Sequence, residues 1–438
     1  MSREMKDSGI LAIGAIPKEW KQIRIKYLLQ NGVIKSGPYG SALKEVTSTD
    51  GEYPIYNQAN IINDDFSLRR NYISSKDYIN MKRYKIQSGD IVFSMMGTVG
   101  KCSIVPEWID EGIIDSHLFE AKLNYLINKD YFKYSYDKDL CVQVIEQFVE
   151  AMNGSIMSGL NGGLVKNSFI CLPSPTEQQQ IVHFLDRKCT AIDTAIEKTK
   201  KSIEKLEEYK KAVITKAVTK GIDPNAKMKD SGVEWIGEIP EDWEIIPNKH
   251  LMKKVKNLCP VYNGEDILSL SMKGVYVRDP NDESGKRPTT YNGYQHVQEG
   301  DLLMCLFDID VTPRCVGRVY NDGLTSPAYS RFIMNKTRAI VDYYYYYYLA
   351  LDFDKTLLHL SKNMRSSLTE SDFGSINAPV PSPTEQQQIV HFLDRKCTAI
   401  DTAIEKKKRA IEKWEEYKKS LIYYAVTGKI DCRNEVIE

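Results

Sequence analysis

The residues best placed to do chemistry in this 438-residue chain fall short of a catalytic set at each point. Gly97-Thr-Val-Gly-Lys101 resembles the tail of a phosphate-binding loop, where backbone amides and a lysine cradle phosphoryl oxygens. The full pattern needs Gly at 95 and Ser or Thr at 102, and the chain has Met95 and Cys102. A tight turn after a strand is the better reading. Glu208-Tyr-Lys210 and Glu416-Tyr-Lys418 match the Glu-x-Lys fragment of many nucleases, without the upstream loop aspartate that completes a metal site. Both lie in helical heptads, which makes them a solvated helix face. His183 and His391 flank an apolar stripe with no second ligand at metal spacing, which suits structural roles. Nine cysteines occur without a C-x-x-C pair or a Cys/His cluster, the pattern of buried thiols in a reducing cytoplasm. G-x-S-x-G, H-E-x-x-H and the Gly-rich dinucleotide fingerprint are absent. The residues predict no catalytic, cofactor or metal site in this chain.

A second group of residues suits nucleic acid. Arg and Lys reach guanine O6/N7, and Asn and Gln reach adenine. In the first half the candidates are Lys35, Tyr39, Lys44, Asn57, Gln58, Arg69, Arg70, Lys82, Arg83, Lys101 and Asn153. In the second they are Lys273, Arg278, Lys286, Arg287, Arg314, Asn363 and Arg365. The formal net charge is zero, so any basic face is local. Residues 21–105 hold 12 Lys/Arg against 7 Asp/Glu, and 106–172 hold 5 against 10, which allows such a face.

These candidates must be positioned by a scaffold, and the scaffold is duplicated. Pro173–Lys198 and Pro381–Lys406 are the same 26 residues, 208 positions apart. The lead-in Met5-Lys-Asp-Ser-Gly9, Ile16-Pro17, Trp20 returns 223 positions later as Met228–Gly232, Ile239-Pro240, Trp243. One unit is used twice: lead-in, variable domain, long helix. The boundaries read 1–20 for the first lead-in, 21–172 for the first variable domain and 173–222 for the central helix. They continue 223–243 for the second lead-in, 244–380 for the second domain, 381–428 for the last helix and 429–438 for a tail.

Each repeated helix opens with Ser-Pro-x-Glu, which predicts a capping box: Ser174 at the N-cap, Pro175 at N1, Glu177 reaching back. Leu185, Ile192, Ile196, Ile203 and Leu206 then form a heptad stripe, as do Leu393, Ile400, Ile404, Ile411 and Trp414. About 45 residues make a rod of roughly 65–70 Å, which needs another helix to cover its stripe; its own copy, antiparallel, is the simplest partner. The first variable domain reads as short strands, with a buried strand at Ile91–Met96 and one helix from Tyr131 to Val149. Gly89-Asp90-Ile91-Val92 answers Gly300-Asp301-Leu302-Leu303, so the second domain shares the fold with a different surface. Tyr343–Tyr348 are read as the opening of a packed helix. The fold class is α+β: two mixed α/β domains joined by two long antiparallel coiled-coil helices, with internal pseudo-two-fold symmetry.

Over its full length the chain resembles the specificity subunit of a Type I restriction–modification enzyme. The likeness is carried by Pro175-Thr-Glu-Gln178 and Pro383-Thr-Glu-Gln386, each after a variable domain. Ser36-Gly-Pro-Tyr-Gly-Ser-Ala-Leu-Lys44, Gly89-Asp-Ile-Val92 and the Ile-Pro-x-x-Trp lead-ins add to it. The second domain departs, with Asn263-Gly-Glu-Asp-Ile267 roughly in place of Gly-Pro-Tyr-Gly. The resemblance implies that each variable domain is a target-recognition domain reading one half of a bipartite, asymmetric site in double-stranded DNA. The helices would set the spacing. It further implies two methyltransferase subunits docked on helices and lead-ins, and two motor-nuclease subunits reached through them. S-adenosylmethionine, ATP and magnesium would belong to those partners, and this chain would bind no cofactor.

Two rival readings stand beside it. Zero net charge suits a coiled-coil adaptor whose domains hold proteins, and the absent motifs oppose a self-contained nuclease or methyltransferase. No apolar run reaches the roughly 18 residues that span a bilayer, and the first residues lack the apolar core of a signal peptide. A cytoplasmic protein without a membrane partner is expected.

Overall fold

The computed structural model describes residues 3–96, 99–137, 139–140, 143–151, 161–279, 288–360 and 366–435. The chain divides into two compact units, Met1–Thr199 with Lys408–Glu438, and Lys200–Lys407. The division falls inside both long helices.

Unit 1 opens with the lead-in hairpin β1 (Met5–Asp7) and β2 (Ala15–Pro17), followed by β3 (Lys21–Arg24) and β4 (Lys35–Ser36). Next come α1 (Gly40–Val46), β5 (Tyr53–Tyr56), α2 (Gln58–Ile62), β6 (Tyr72–Ile73), α3 (Ser75–Met81), β7 (Ile91–Ser94) and β8 (Cys102–Ile104). They are followed by β9 (Ile113–Ile114), β10 (Leu118–Ala121), α4 (Lys129–Tyr136), α5 (Gln143–Ala151), α6 (Gly162–Asn167) and β11 (Phe169–Leu172). The long helix α7 (Pro175–Lys220) closes this set. The main sheet has the order β4-β10-β7-β8, and a second sheet runs β6-β5-β9.

Residues 131–149, expected as one helix, form two. The Asp137 carboxylate accepts the Cys102 and Asp139 amides, which halts α4 and turns the chain before α5 starts. Phe93, Phe132, Tyr136 and Phe148 pack edge and face in the core beneath, where each buried phenylalanine contributes about 1.5–3 kcal/mol over exposure.

Unit 2 repeats the plan. It holds β12 (Met228–Asp230), β13 (Glu238–Pro240), β14 (Glu244–Pro247), β15 (Met252–Val255), the hairpin β16 (Leu268–Ser271) and β17 (Gly274–Val277), and β18 (Gln295–Val297). Then come β19 (Leu302–Met304), β20 (Val316–Arg318), β21 (Gly323–Thr325), β22 (Ser330–Met334), α8 (Val341–Phe353), α9 (Thr356–His359), α10 (Glu370–Ser375), β23 (Asn377–Val380) and α11 (Pro383–Val426). Its main sheet has the order β15-β22-β19-β20, the counterpart of β4-β10-β7-β8. The tyrosines lie in α8 as expected. Tyr343, Tyr344 and Tyr346–Tyr348 are buried, and their hydroxyls find partners, as buried polar groups must: Tyr343 donates to Val218 O, Tyr344 to Pro379 O and Tyr348 to Asn248 Oδ1.

The start of each long helix is the hub of its unit. Ser174 Oγ accepts the Glu177 amide, so half the capping box forms. The Glu177 carboxylate is committed elsewhere: it accepts the Trp20 indole N–H at 2.8 Å and pairs with Arg3. Gln178 holds the entry to α4, accepting the Asn128 amide and donating to Leu126 O and Pro173 O. Glu385 takes the Trp243 indole at 2.9 Å, and Gln386 accepts the Ile340 amide and donates to Arg338 O and Pro381 O. Two turns further along, Tyr134 donates to Asp186 and Tyr346 to Asp394, each at 2.7 Å.

The stripe positions differ in burial. Leu185, Ile192 and Ile196 are buried in unit 1 with Leu421, Ile422 and Ala425, while Leu393, Ile400 and Ile404 are buried in unit 2. Ile203, Leu206 and Ile411 are half-buried. Trp414, expected in the stripe, is 41% exposed beside Tyr417. Its counterpart Leu206 is half-buried and Leu421, one heptad further along the same series, is buried again, so Trp414 alone of the series turns outward. The Glu-x-Lys lysines are also not simply solvated. Lys418 pairs with Asp193 in unit 1, and Lys210 with Asp401 in unit 2, all at 2.6–2.7 Å. His183 is half-buried and His391 exposed.

Candidate nucleic-acid interface

Four segments of unit 1 converge at one end of its main sheet. After β4 the chain turns through Gly37-Pro38-Tyr39 into α1. Gly37 lies so close to Asp115 that a Cβ would sit 1.8 Å from its carbonyl oxygen, so only glycine fits. The Asp115 amide donates to Tyr56 O, at the end of β5, and the Met95 amide to His117 O. Gln58, opening α2, donates to Ser94 Oγ and Met96 O. The turns Gly37–Gly40, Tyr56–Gln58, Met95–Met96 and Asp115–His117 are thereby tied into one surface. From it Tyr39 projects 87% exposed, with Met96 and His117 also exposed.

Of the basic and amide residues expected to read bases, Lys35, Tyr39 and Lys44 flank this surface on β4 and α1, all exposed. Lys35 stands 3.4 Å from Glu120. The Glu120 and Asp90 carboxyls are raised above the usual range by burial, and Lys35 and Lys122 counter this. Two expected readers are tied up at least in part. The Asn57 side chain caps α2, accepting the Ala59 amide, while Gln58 makes the bonds above. Lys101 is drawn inward, with its ammonium 2.9 Å from Asp139 and 3.4 Å from Asp137 and its side chain only 12% exposed. That correction follows from Asp137 being buried and needing a cation. Arg69 pairs with Asp110 and Arg83 lies over the Tyr84 ring, while Arg70 and Lys82 are exposed. Asn153 lies outside the described residues, as do Lys286, Arg287, Asn363 and Arg365.

Unit 2 builds the corresponding surface from other parts. With Val92 matched to Leu303, strand register sets Phe307 at the place of Met96 and Ser326–Ala328 at the place of Asp115–His117. The β16–β17 hairpin takes the place of α2. The same register puts Asn257–Pro260 where unit 1 has Gly-Pro-Tyr-Gly, so Asn263–Ile267 is not the counterpart; it leads into β16. Met272 at the hairpin tip is 64% exposed, and its carbonyl accepts from Arg314 Nη1 at 2.5 Å. Phe307 stacks on Tyr329 with centroids 6.4 Å apart. Together with Lys273 and Tyr276 these residues line a cavity of about 840 Å³. Lys273 and Arg314 are thus brought together, while Arg278 sits just past β17. The surfaces also include Met96, His117, Met272, Phe307 and Tyr329, which the reading of the sequence did not single out; for Met96, Met272 and Phe307 the signal is an exposed large apolar side chain at a turn.

Such surfaces can contact base edges through arginine, histidine and amide groups, and thymine methyls through apolar tips. Among the described residues no group of three or more His, Cys, Asp or Glu could hold a metal ion. Among the described residues no helix is long and apolar enough to cross a membrane.

The family model described as the Type I restriction modification DNA specificity domain matches residues 17–208 and again 240–413. A Methanocaldococcus jannaschii chain assigned to the Type I restriction enzyme MjaX as its specificity subunit is 26% identical, covering 95% of each chain. The specificity subunit of MjaVIII from the same organism is 24% identical, over 96% of this chain and 95% of that one. A chain solved in work on complex assembly and conformational transition of a Type I R-M system superposes with a TM-score of 0.66 at 13% identity, covering 95% of this chain and 99% of that one. The HsdS subunit of Thermoanaerobacter tengcongensis gives 0.50, also at 13%, covering 95% and 98%.

Proposed function

The chain belongs to the Type I restriction–modification DNA specificity family, whose subunits recognise DNA sequence without catalysing the reaction, and we propose that its two units each read one half of a bipartite, asymmetric site. The observation that carries this reading is the pair of surfaces. The same Trp–Glu and Gln–main-chain contacts hold both domains, yet one surface presents Tyr39, Met96 and His117 and the other Met272, Phe307 and Arg314. Phosphate contacts position a protein and base contacts specify. A constant frame with two unlike faces suits a target whose halves differ.

In this reading α7 and α11 form an antiparallel coiled coil with pseudo-two-fold symmetry. Two readers on one face of B-DNA stand about one helical turn apart, roughly 34–36 Å, within reach of such a rod. The near-identical helices and lead-ins dock two methyltransferase subunits, and two motor-nuclease subunits join through them. S-adenosylmethionine, ATP and magnesium serve those partners, in the cytoplasm. The adaptor reading loses its ground to the family match.

Mapping adenine methylation in cells carrying this chain and its methyltransferase tests the reading. The expected result is one asymmetric two-part motif with a fixed gap. Replacing residues 21–172 with another family member's domain should change one half of the motif and leave the other. Methylation without sequence preference would sink it.

A further inference from the structure

The two reading surfaces part company where α2 of unit 1 gives way to the β16–β17 hairpin of unit 2. In unit 1 the Gln58 side chain donates to Ser94 Oγ at 3.1 Å and to Met96 O at 2.7 Å, and so closes the end of β7. With Val92 matched to Leu303, Cys305 stands for Ser94 and Phe307 for Met96. In unit 2 the Cys305 thiol donates to Phe307 O within its own segment, at 3.4 Å. Both residues line the cavity of about 840 Å³.

The make-up of this cavity narrows what it can hold. Tyr276, Phe307 and Tyr329 bring three aromatic rings to its lining. Tyr276 is 43% and Phe307 37% exposed, so both rings are open to solvent. The charged lining residues, Lys273 and Arg314, are both cations. The hairpin wall is set in advance: Ser271 Oγ accepts the Lys273 amide, Gly274 takes a φ of +100°, and Arg314 Nη1 holds the Met272 carbonyl. A guanidinium has five N–H donors, so that one bond does not exhaust Arg314. The volume is that of a small-molecule pocket. A paired duplex offers its grooves only base edges, with the thymine methyl as the apolar piece. An edge does not fill such a cavity; a whole ring does.

We propose that the cavity receives one nucleobase of the unit 2 half-site, turned out of the duplex and stacked on the exposed rings. Arg314 donates to acceptors on the base edge, and Lys273 meets the neighbouring phosphate. This step rests on the DNA-reading function proposed above and adds to it an opening of the duplex at a single base. Every base has a π-face, so aromatic rings take it whatever its identity, and donors at the edge supply the selection. Leaving the duplex costs the base its pairing and stacking. The rings restore the stacking, and a hairpin already fixed need not be ordered first. In unit 1 Gln58 occupies the equivalent strand end, so extrusion belongs to one half-site only.

The test is competition binding by the full chain with its methyltransferase, on duplexes carrying the methylation-mapped motif. In each competitor one base is kept and the base opposite it is changed, so that the kept base leaves the stack more readily. The methylated adenines stay paired throughout. The expected result is one position in the unit 2 half-site at which the mismatch tightens binding about tenfold, because the unpairing cost is already met. Phe307→Ala and Tyr276→Ala, each at an exposed ring, should remove most of that gain, and Phe307→Tyr should keep it. A gain that survives both alanine variants, or that falls only in the unit 1 half-site, overturns the proposal. Sequence-specific binding with no tightened position overturns the extrusion and leaves the half-site reading standing. Binding without sequence preference overturns both.

Discussion

The Glu177 carboxylate, in the first turn of its helix, accepts the Trp20 indole N–H at 2.8 Å across 157 residues of sequence. It fastens the lead-in to the helix start, and it also receives the Arg3 guanidinium. Glu177→Ala should therefore leave a buried donor and a largely buried cation short of a partner, at a cost of about 3–5 kcal/mol to unit 1. Glu385→Ala removes the indole bond alone and should cost unit 2 about 1–3 kcal/mol. Urea unfolding of the two variants checks the order; equal losses would contradict it.

The clamps Asp193–Lys418 and Lys210–Asp401 are half-exposed ion pairs. Double-mutant cycles should give each a coupling of about 0.2–1 kcal/mol that shrinks as salt rises. A coupling that is indifferent to salt would mean that packing, not charge, holds these segments.

Glu120 gives a pH signature. Burial and the neighbouring Asp90 charge raise its carboxyl, and Lys35 and Lys122 oppose them only in part. A raised carboxyl lends the fold its full contribution below the unfolded value, about 4.3 for Glu, and that contribution is lost as pH rises through the folded value. The Glu120 contribution to unit 1 should thus fall as pH rises above about 4.5, and Glu120→Gln should take that component out of the stability–pH slope. An unchanged slope in the variant would refute the assignment.

At the reading surfaces, Arg314→Ala and Phe307→Ala should relax preference at one half-site, and Tyr39→Ala and His117→Ala at the other. For Arg314, a bidentate pair with a base would be worth about 1–3 kcal/mol, roughly ten- to hundredfold in discrimination. Competition binding with singly altered half-sites reads this directly. Lys101→Met should leave the salt dependence of DNA binding unchanged and lower stability, since its ammonium serves buried Asp137. A shallower salt slope would restore Lys101 to the interface.

Much of the frame was legible because repetition needs no propensity scale. The 208 and 223 offsets locate the lead-ins and long helices, and a six-tyrosine run reads as a packed helix once its counterpart is found. Other features depended on long-range geometry. Nothing local says that Glu177 will leave the cap for an indole 157 positions away. Heptad counting keeps Trp414 in the stripe because it does not see which positions a neighbouring element covers. The readers were sought among charges and amides, yet Asn57 caps a helix and Lys101 neutralises a buried aspartate. The hairpin that replaces α2 in unit 2 was hidden because register, not sequence, aligns the two domains there.

The grip of Gln178 and Gln386 on the domains has a consequence for inheritance. Each glutamine holds its domain by main-chain groups alone: one amide just ahead of α4 or α8 and a carbonyl two residues before it. Main-chain atoms are the same in every sequence. An incoming domain must bring a strand-to-helix corner, tyrosines for the helix aspartates and an apolar inner face that packs on Ile181 and Leu185 or on Ile389 and Leu393, whatever its outer face encodes. A cassette that keeps this inner face can change its outer one without disturbing the seam.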